Sequence, residues 1–182
     1  MAITCLVDRR AFFSLAFSAQ GDFVATGGDT DGTIILWRAS DGQEHRRWTG
    51  HRLAISGLAF RSDGWVLASS SEDGIAKLWD LGTKNQLSPN AEQAHAIHSI
   101  AFSGDDQRLL LGGSGKTAVV LWDVNAQQEL VALEGRGALF RKVVFCPDGS
   151  GIAALSTAHE LHLWRAPSLQ MIASAESAAA NQ

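Results

Sequence analysis

The sequence has no tyrosine, only three prolines, two cysteines and two methionines in 182 residues. Two cysteines, Cys5 and Cys146, are too few for a disulfide scaffold. They fit a reducing compartment, so a cytoplasmic location is expected. No apolar run approaches the ~20 residues a spanning helix needs, so no membrane insertion is expected. Met1 to Arg10 lacks a basic leader and a long apolar stretch, so no signal peptide is expected. Positive charge is scarce too. Fifteen Lys and Arg face nineteen Asp and Glu for a net charge of −4, and nucleic-acid binding, which needs a basic face, is not expected. What the chain does have is 46% hydrophobic residues, which argues against disorder. It also has 18 Gly and 6 Trp, implying many tight turns and one recurrent use of Trp.

That recurrence is a repeat. Trp37, Trp79, Trp122 and Trp164 stand 42, 43 and 42 residues apart, and each follows a Leu: Leu36, Leu78, Leu121 and Leu163. Phe17, Phe60, Phe102 and Phe145 keep a parallel spacing of 43, 42 and 43, each 19 or 20 residues before its Trp. Trp48 and Trp65 lie outside the pattern. Internal self-similarity at such a period is the signature of repeat architectures. Each unit reads as four strands. The first alternates, as in Ile55 to Phe60 and Ile97 to Phe102, and a turn such as Ser62-Asp63-Gly64 or Pro147-Asp148-Gly149 closes it. A more continuously apolar second strand follows, as in Trp65 to Ala68 and Leu109 to Leu111. Then comes a second turn, Asp31-Gly32 or Asp73-Gly74, and a third strand ending at the Leu-Trp pair. A more polar fourth strand covers Glu44 to Trp48, Lys84 to Leu87 and Gln128 to Leu133. The only helical pattern is an Ala-rich tail at 174–182.

Units of ~40–45 residues with four strands match the arithmetic of a propeller blade. The residues Gly50-His51, Phe60-Arg61-Ser62-Asp63-Gly64, Ala68 to Gly74, Leu78-Trp79-Asp80 and Leu121-Trp122-Asp123 resemble the WD40 repeat family over nearly the whole chain. The resemblance implies an all-β array of four blades over 1–173, each of four antiparallel strands. The repeats fall at about 8–48, 49–90, 91–133 and 134–173, and an extra strand at 3–7 makes seventeen. Such an array closes as a small ring, stays an open arc, or forms half of a dimeric eight-bladed ring. The resemblance also implies a buried network in each blade, joining a His, a Ser or Thr, an Asp and the Trp. Unit two has all four: His51, one of Ser69, Ser70 and Ser71, Asp73 and Trp79. Unit one has Asp31 and Trp37, with Arg10 at the His position. Unit three has His95 and Trp122, with Lys116 at the Asp position. Unit four keeps Trp164, with Arg136 and Ala158 elsewhere. Blade two is therefore expected to be the most stable and blade four the least regular.

Other motifs yield to simpler readings. His51, Asp73 and a Ser are the residue types of a hydrolytic triad, but a triad is defined by geometry, and the repeat context favours a structural role. Gly112-Gly113-Ser114-Gly115-Lys116-Thr117 resembles a phosphate loop, yet Leu110 stands where its first Gly belongs, and no helix is expected to follow. His95-x-x-His98 and His159-x-x-His162 place their histidines on opposite faces of a strand, with no third ligand. No metal or other cofactor is expected.

Function is expected in the loop-lined face, as propellers present a broad rigid surface there. Four positions before the Phe markers stand Phe13, Ser56, His98 and Arg141. Thr30, Glu72 and Lys116 lie in or beside the second turns. Aromatics and Arg suit a binding patch. The expected role is a non-catalytic scaffold for a protein or peptide partner, with self-association through open blade edges. Two alternatives are a fragment of a larger bacterial-type, kinase-associated WD-repeat protein and a propeller hydrolase or lyase. The last needs converging acid, base or metal groups.

Overall fold

A computed structural model describes residues 11–83, 85–93, 95–115, 118–135 and 139–165. The expected strand at 3–7, the segment at 169–173 and the Ala-rich tail lie outside the described residues, as do Cys5, Arg10, Lys116 and Arg136. The described chain is all strand and turn. Blade one contains β1 (Phe12–Phe17), β2 (Phe23–Gly28), β3 (Thr33–Arg38) and β4 (Glu44–Thr49). Blade two contains β5 (Ile55–Phe60), β6 (Val66–Ser71), β7 (Ile75–Asp80) and β8 (Gln86–Glu92). Blade three contains β9 (Ile97–Phe102), β10 (Arg108–Gly113), β11 (Val119–Asp123) and β12 (Gln128–Leu133). Blade four shows β13 (Phe140–Phe145), β14 (Gly151–Ser156) and β15 (Leu161–Arg165). Each blade is an antiparallel meander whose strands pair in chain order.

β8 differs from its expected span, running from Gln86 to Glu92 rather than from Lys84 to Leu87. It is the outer edge strand of its blade, and the stretch holding Pro89 lies opposite a register shift between Ala76 and Leu78. An edge and an irregular ladder are the places where a strand tolerates proline.

The blades stack face to face through three apolar layers. Blades one and two share a core containing Ile34, Leu36, Trp48, Ile55, Leu67 and Trp79. Blades two and three share Ala68, Ala76, Ile97, Ile100, Leu109 and Leu111. Blades three and four share Leu110, Val119, Phe140, Val143 and Ala154. Each blade thus uses one sheet face toward the preceding blade and the other toward the following one. The first strands form the inner line, with β1 against β5, β5 against β9 and β9 against β13. Among the described residues no comparable contact joins β13 to β1, so the described blades form an open arc and not a closed four-bladed ring.

Hydrogen bonds between first strands fix the stacking. Ser14 Oγ donates to the Ile55 carbonyl at 2.9 Å, Ser56 Oγ donates to the Ile97 carbonyl, and the Val143 amide donates to Ser99 Oγ at 3.1 Å. At the opposite end of these strands, Gln20 Nε2 donates to the Asp63 carbonyl at 3.0 Å, and Ser62 donates to the Asp106 carboxylate through both its amide and its hydroxyl. The Asp73-Gly74 turn docks on the segment leading into blade three. Gly74 has φ +80°, and a Cβ there would lie 2.7 Å from the Gln93 carbonyl oxygen. Only glycine meets both demands.

Candidate functional site

Two sets of polar residues stand out, one sealed inside blade two and one on the open rim. The sealed set begins at Trp79, whose indole N–H donates to Ser69 Oγ at 2.8 Å. Ser69 Oγ lies 2.8 Å from His51 Nε2, and His51 Nδ1 lies 3.1 Å from Asp73 Oδ2. The directions are forced. Asp73 can only accept, so His51 Nδ1–H donates to it, and the neutral ring then takes the Ser69 proton on Nε2 while Ser69 accepts from Trp79. Asp73 also accepts from the amides of Arg52 at 2.9 Å and Ile75 at 3.0 Å. The His51 and Asp73 side chains are 0% and 5% exposed. Burial holds the His51 imidazole below its usual value against the pull of Asp73. Burial also pushes the Asp73 carboxyl upward, but the Arg52 and Ile75 amides and the His51 ring outweigh it, and the carboxyl sits below its ordinary range.

Ser69, His51 and Asp73 therefore connect in the order of a hydrolytic triad. Ser69 has 0% exposure, however, and its oxygen is occupied by the Trp79 indole. No substrate reaches it, and the set works as a fully satisfied buried network that fixes one core arrangement. Of the three candidate serines, Ser69 alone takes this role. Ser70 Oγ pairs with Ser56 Oγ at 3.2 Å, and Ser71 Oγ donates to the Leu53 carbonyl at 3.2 Å.

The network shrinks in the other blades. In blade one, Trp37 Nε1 donates to Thr26 Oγ1 at 2.9 Å, and Asp31 accepts from the Thr33 amide at 3.0 Å. Thr26 goes unnoticed in the sequence. The signal for it is its place two residues after Val24, the partner of Trp37, just as Ser69 follows Leu67, the partner of Trp79. The same offset falls on Leu111 in blade three and Ala154 in blade four, which carry no hydroxyl for Trp122 or Trp164. His95 is exposed. Trp164 instead stacks on His162, with centroids 5.5 Å apart.

The rim set has a geometry the sequence reading did not state. In all four blades the first strand is bulged, and the displaced residue is the one named from the Phe spacing. The register shifts between Phe12 and Ser14, Ile55 and Gly57, Ile97 and Ser99, and Phe140 and Lys142. Phe13, Ser56, His98 and Arg141 are therefore the bulge residues. A bulge leaves its residue out of the ladder and re-aims its side chain. The sequence signal is a slip in alternation. Ile55 and Leu58, Ile97 and Ile100, and Phe140 and Val143 each sit three apart yet face one core.

These residues share the rim with the second turns. The amides that follow the second strands, at Asp29, Glu72 and Thr157, donate to the carbonyls of Ala11, Ala54 and Leu139 just before the first strands. Thr30 is exposed beside Asp29, and Glu72 and Arg141 are exposed. His98 is half-buried. Burial lowers its imidazole first, while Glu72 pulls it up and Arg141 pushes it down. Phe13 is 67% exposed, a large aromatic offered to solvent. Ser56 differs, because its hydroxyl is spent on Ile97 and Ser70. Among the described residues, no group of three or more His, Cys, Asp or Glu is placed to hold a metal ion. Gly112 and Gly113 of the loop-like sequence belong to strand β10, and no helix among the described residues is long and apolar enough to cross a membrane.

Comparison with known proteins supports the WD40-repeat assignment. Residues 8–38 and 42–80 match the family described as "WD domain, G-beta repeat". The chain is 28% identical over 129 residues to the Periodic tryptophan protein 2 homolog of Neurospora crassa, covering 71% of this chain and 14% of that protein. It is 30% identical over 128 residues to the homolog of Schizosaccharomyces pombe, covering 70% and 15%. Both relatives are fungal and lend no support to a bacterial-type assignment, and the chain spans a small part of each. The fold matches the Cps50 (Swd1) β-propeller domain of Myceliophteria thermophila with a TM-score of 0.76 at 18% identity, covering 87% of this chain and 53% of that one.

Proposed function

We propose that the chain is a non-catalytic interaction module that grips a protein or peptide partner with its bulged inner rim. The carrying observation is that four equivalent bulges leave one residue per blade out of the ladder at the same end of the first strand. Phe13 and Arg141 keep exposed side chains, His98 is half-buried between the same strand ends, and Glu72 and Thr30 are exposed in the second turns. A partner with an apolar anchor for Phe13 and an acidic group for Arg141 fits this layout. Ser56 serves the inter-blade clasp rather than the partner. Lys116 belongs to the same proposal on its sequence position alone, directly after Gly115. A hydrolase or lyase reading is not favoured, because the one triad-like set is sealed. The kinase-associated alternative lacks support as well. The exposed, free Cys146 suits the reducing, cytoplasmic setting that we propose.

The test is a pull-down with the wild-type chain and the F13A/R141A double variant as baits. Loss of the partner with an unchanged unfolding midpoint is expected. Equal recovery by both baits overturns the rim as the binding surface.

A further inference from the structure

Five residues after each Phe marker stand Asp22, Trp65, Gln107 and Ser150. Three are polar, as suits a turn facing solvent, but Trp65 is an indole that is 60% exposed. It lies at the end of the blades opposite the rim, where the first strand of blade two turns into the second. Its backbone is engaged, with the amide donating to Asp63 Oδ1 and the carbonyl accepting from the Leu81 amide, both at 2.9 Å. Its ring makes no hydrogen bond or aromatic contact among the described residues. The core does not call for it, since Trp48 and Trp79 fill the layer between blades one and two. Blade two has a described blade on either side, and Trp65 lies in a turn and not on a sheet face, so further blades would not cover it. Carboxylates border this turn. Asp63 lies within it and accepts from Arg61 Nε at 2.9 Å. Asp106 of blade three reaches in to accept from the Ser62 amide at 3.1 Å. Asp80 adjoins Leu81, the residue bonded to the Trp65 carbonyl. Arg61 pairs with Asp63, and no ion pair among the described residues takes Asp80 or Asp106. Lys84, outside the described residues, adds one cation by sequence, and acids still outnumber bases.

We infer that this end of blade two is a second interface, and that its occupant is an arginine-bearing peptide segment of a protein partner. Charge complementarity selects the occupant. A cation is attracted to the negative face of an indole. A guanidinium also bonds carboxylates through its planar fork, so one Arg side chain can use the Trp65 ring and the unpaired acids together. An acidic segment would meet repulsion from Asp80 and Asp106. The chain makes the same kind of pairing internally. Arg46 lies over the Trp48 ring, 5.5 Å from its centroid, while its Nη1 donates to the Leu81 carbonyl at 3.0 Å. Trp is also among the residues that most often carry the binding energy of an interface. The preference is opposite to that of the rim, where Arg141 suits an acidic group. The two surfaces lie at opposite ends of the strands, so one chain can hold two partners at once, and neither proposal rests on the other.

The test is fluorescence anisotropy with labelled peptides of alternating Gly and Arg, Gly and Lys, or Gly and Glu. Each is titrated with the full chain at about 0.15 M salt, where diffuse surface attraction is largely screened. The Arg peptide is expected to bind, the Lys peptide to bind more weakly and the Glu peptide not to bind. W65A should weaken the Arg peptide about tenfold, as for one hot-spot side chain, with an unchanged urea midpoint because the ring is exposed. D80N should weaken it too while keeping an oxygen for the Thr83 amide, which Asp80 Oδ1 accepts at 2.8 Å. A wild type that does not bind the Arg peptide, a wild type that does not tell Arg from Lys, or a W65A variant that binds as tightly as the wild type overturns the inference. The rim variant F13A/R141A should bind the Arg peptide unchanged, so failure here and failure of the rim proposal are read separately.

Discussion

His51→Ala tests whether the blade-two network stabilises the fold. Removing the imidazole strips Ser69 Oγ–H of its acceptor in a site with no exposed surface. A buried hydroxyl left unsatisfied costs about 1–3 kcal/mol. Asp73 loses a charge-assisted bond worth about 1.5–3 kcal/mol, but it keeps the Arg52 and Ile75 amides, so the low end applies. A void beside Trp79 adds to both, because the His51 ring packs edge-on against that indole at 6.3 Å. The sum is about 3 kcal/mol, or roughly 6–12 °C in Tm for a chain of this size. The control is His95→Ala, at the same repeat position but exposed, where a surface change stays within about 0.5 kcal/mol. Urea unfolding followed by tryptophan fluorescence reads both, provided m is unchanged. Adding Ser69→Ala to each completes the argument. The H51A/S69A pair should cost less than the sum of its singles, since both residues belong to one chain of bonds. If His51→Ala and His95→Ala fall within about 1 kcal/mol of each other, the network account is wrong.

Acid should weaken the fold in two stages, readable as urea midpoints across a pH series. The His51 imidazole lies below its usual value in the fold, so the unfolded chain takes up its proton first and stability falls as pH drops below about 6.5. Asp73 lies below its usual range, so its contribution is intact above about pH 4 and is lost in stronger acid. H51A should flatten the first stage to the part that His98, shifted the same way, still contributes. A midpoint independent of pH between 7 and 5 would contradict this. Trp48→Phe should be nearly neutral, within about 1 kcal/mol, because the Trp48 indole N–H is buried without a partner and its loss offsets part of the lost volume. A cost of about 3 kcal/mol in the same urea assay would contradict this.

Strand order was readable in the sequence because Leu-Trp pairs and Phe markers recur at positions that packing repeats. The network was readable where its members kept their residue types, at His51, Asp73 and Trp79. It was missed at Thr26, where the hydroxyl stands without its usual companions. The bulges were hidden because strict alternation describes a regular ladder, and one extra residue looks like noise until both flanking residues are seen to face one core. The openness of the arc was unreadable for another reason. It depends on the angle accumulated between blades, which no single residue encodes, and it becomes visible only when Leu15 and Leu163 emerge uncovered while their counterparts are packed.

The bulges have a consequence for how such a chain can change over time. A residue inside a ladder answers to two neighbours at once, so its identity is constrained by the sheet. Phe13, His98 and Arg141 are excused from that duty, and three chemically unrelated side chains occupy what is geometrically one position. If the rim binds a partner as proposed, substitution there would alter what it recognises without asking the blades to repack. On that proposal the scaffold and the address it displays could vary independently, and a new partner could be acquired at little cost to the fold.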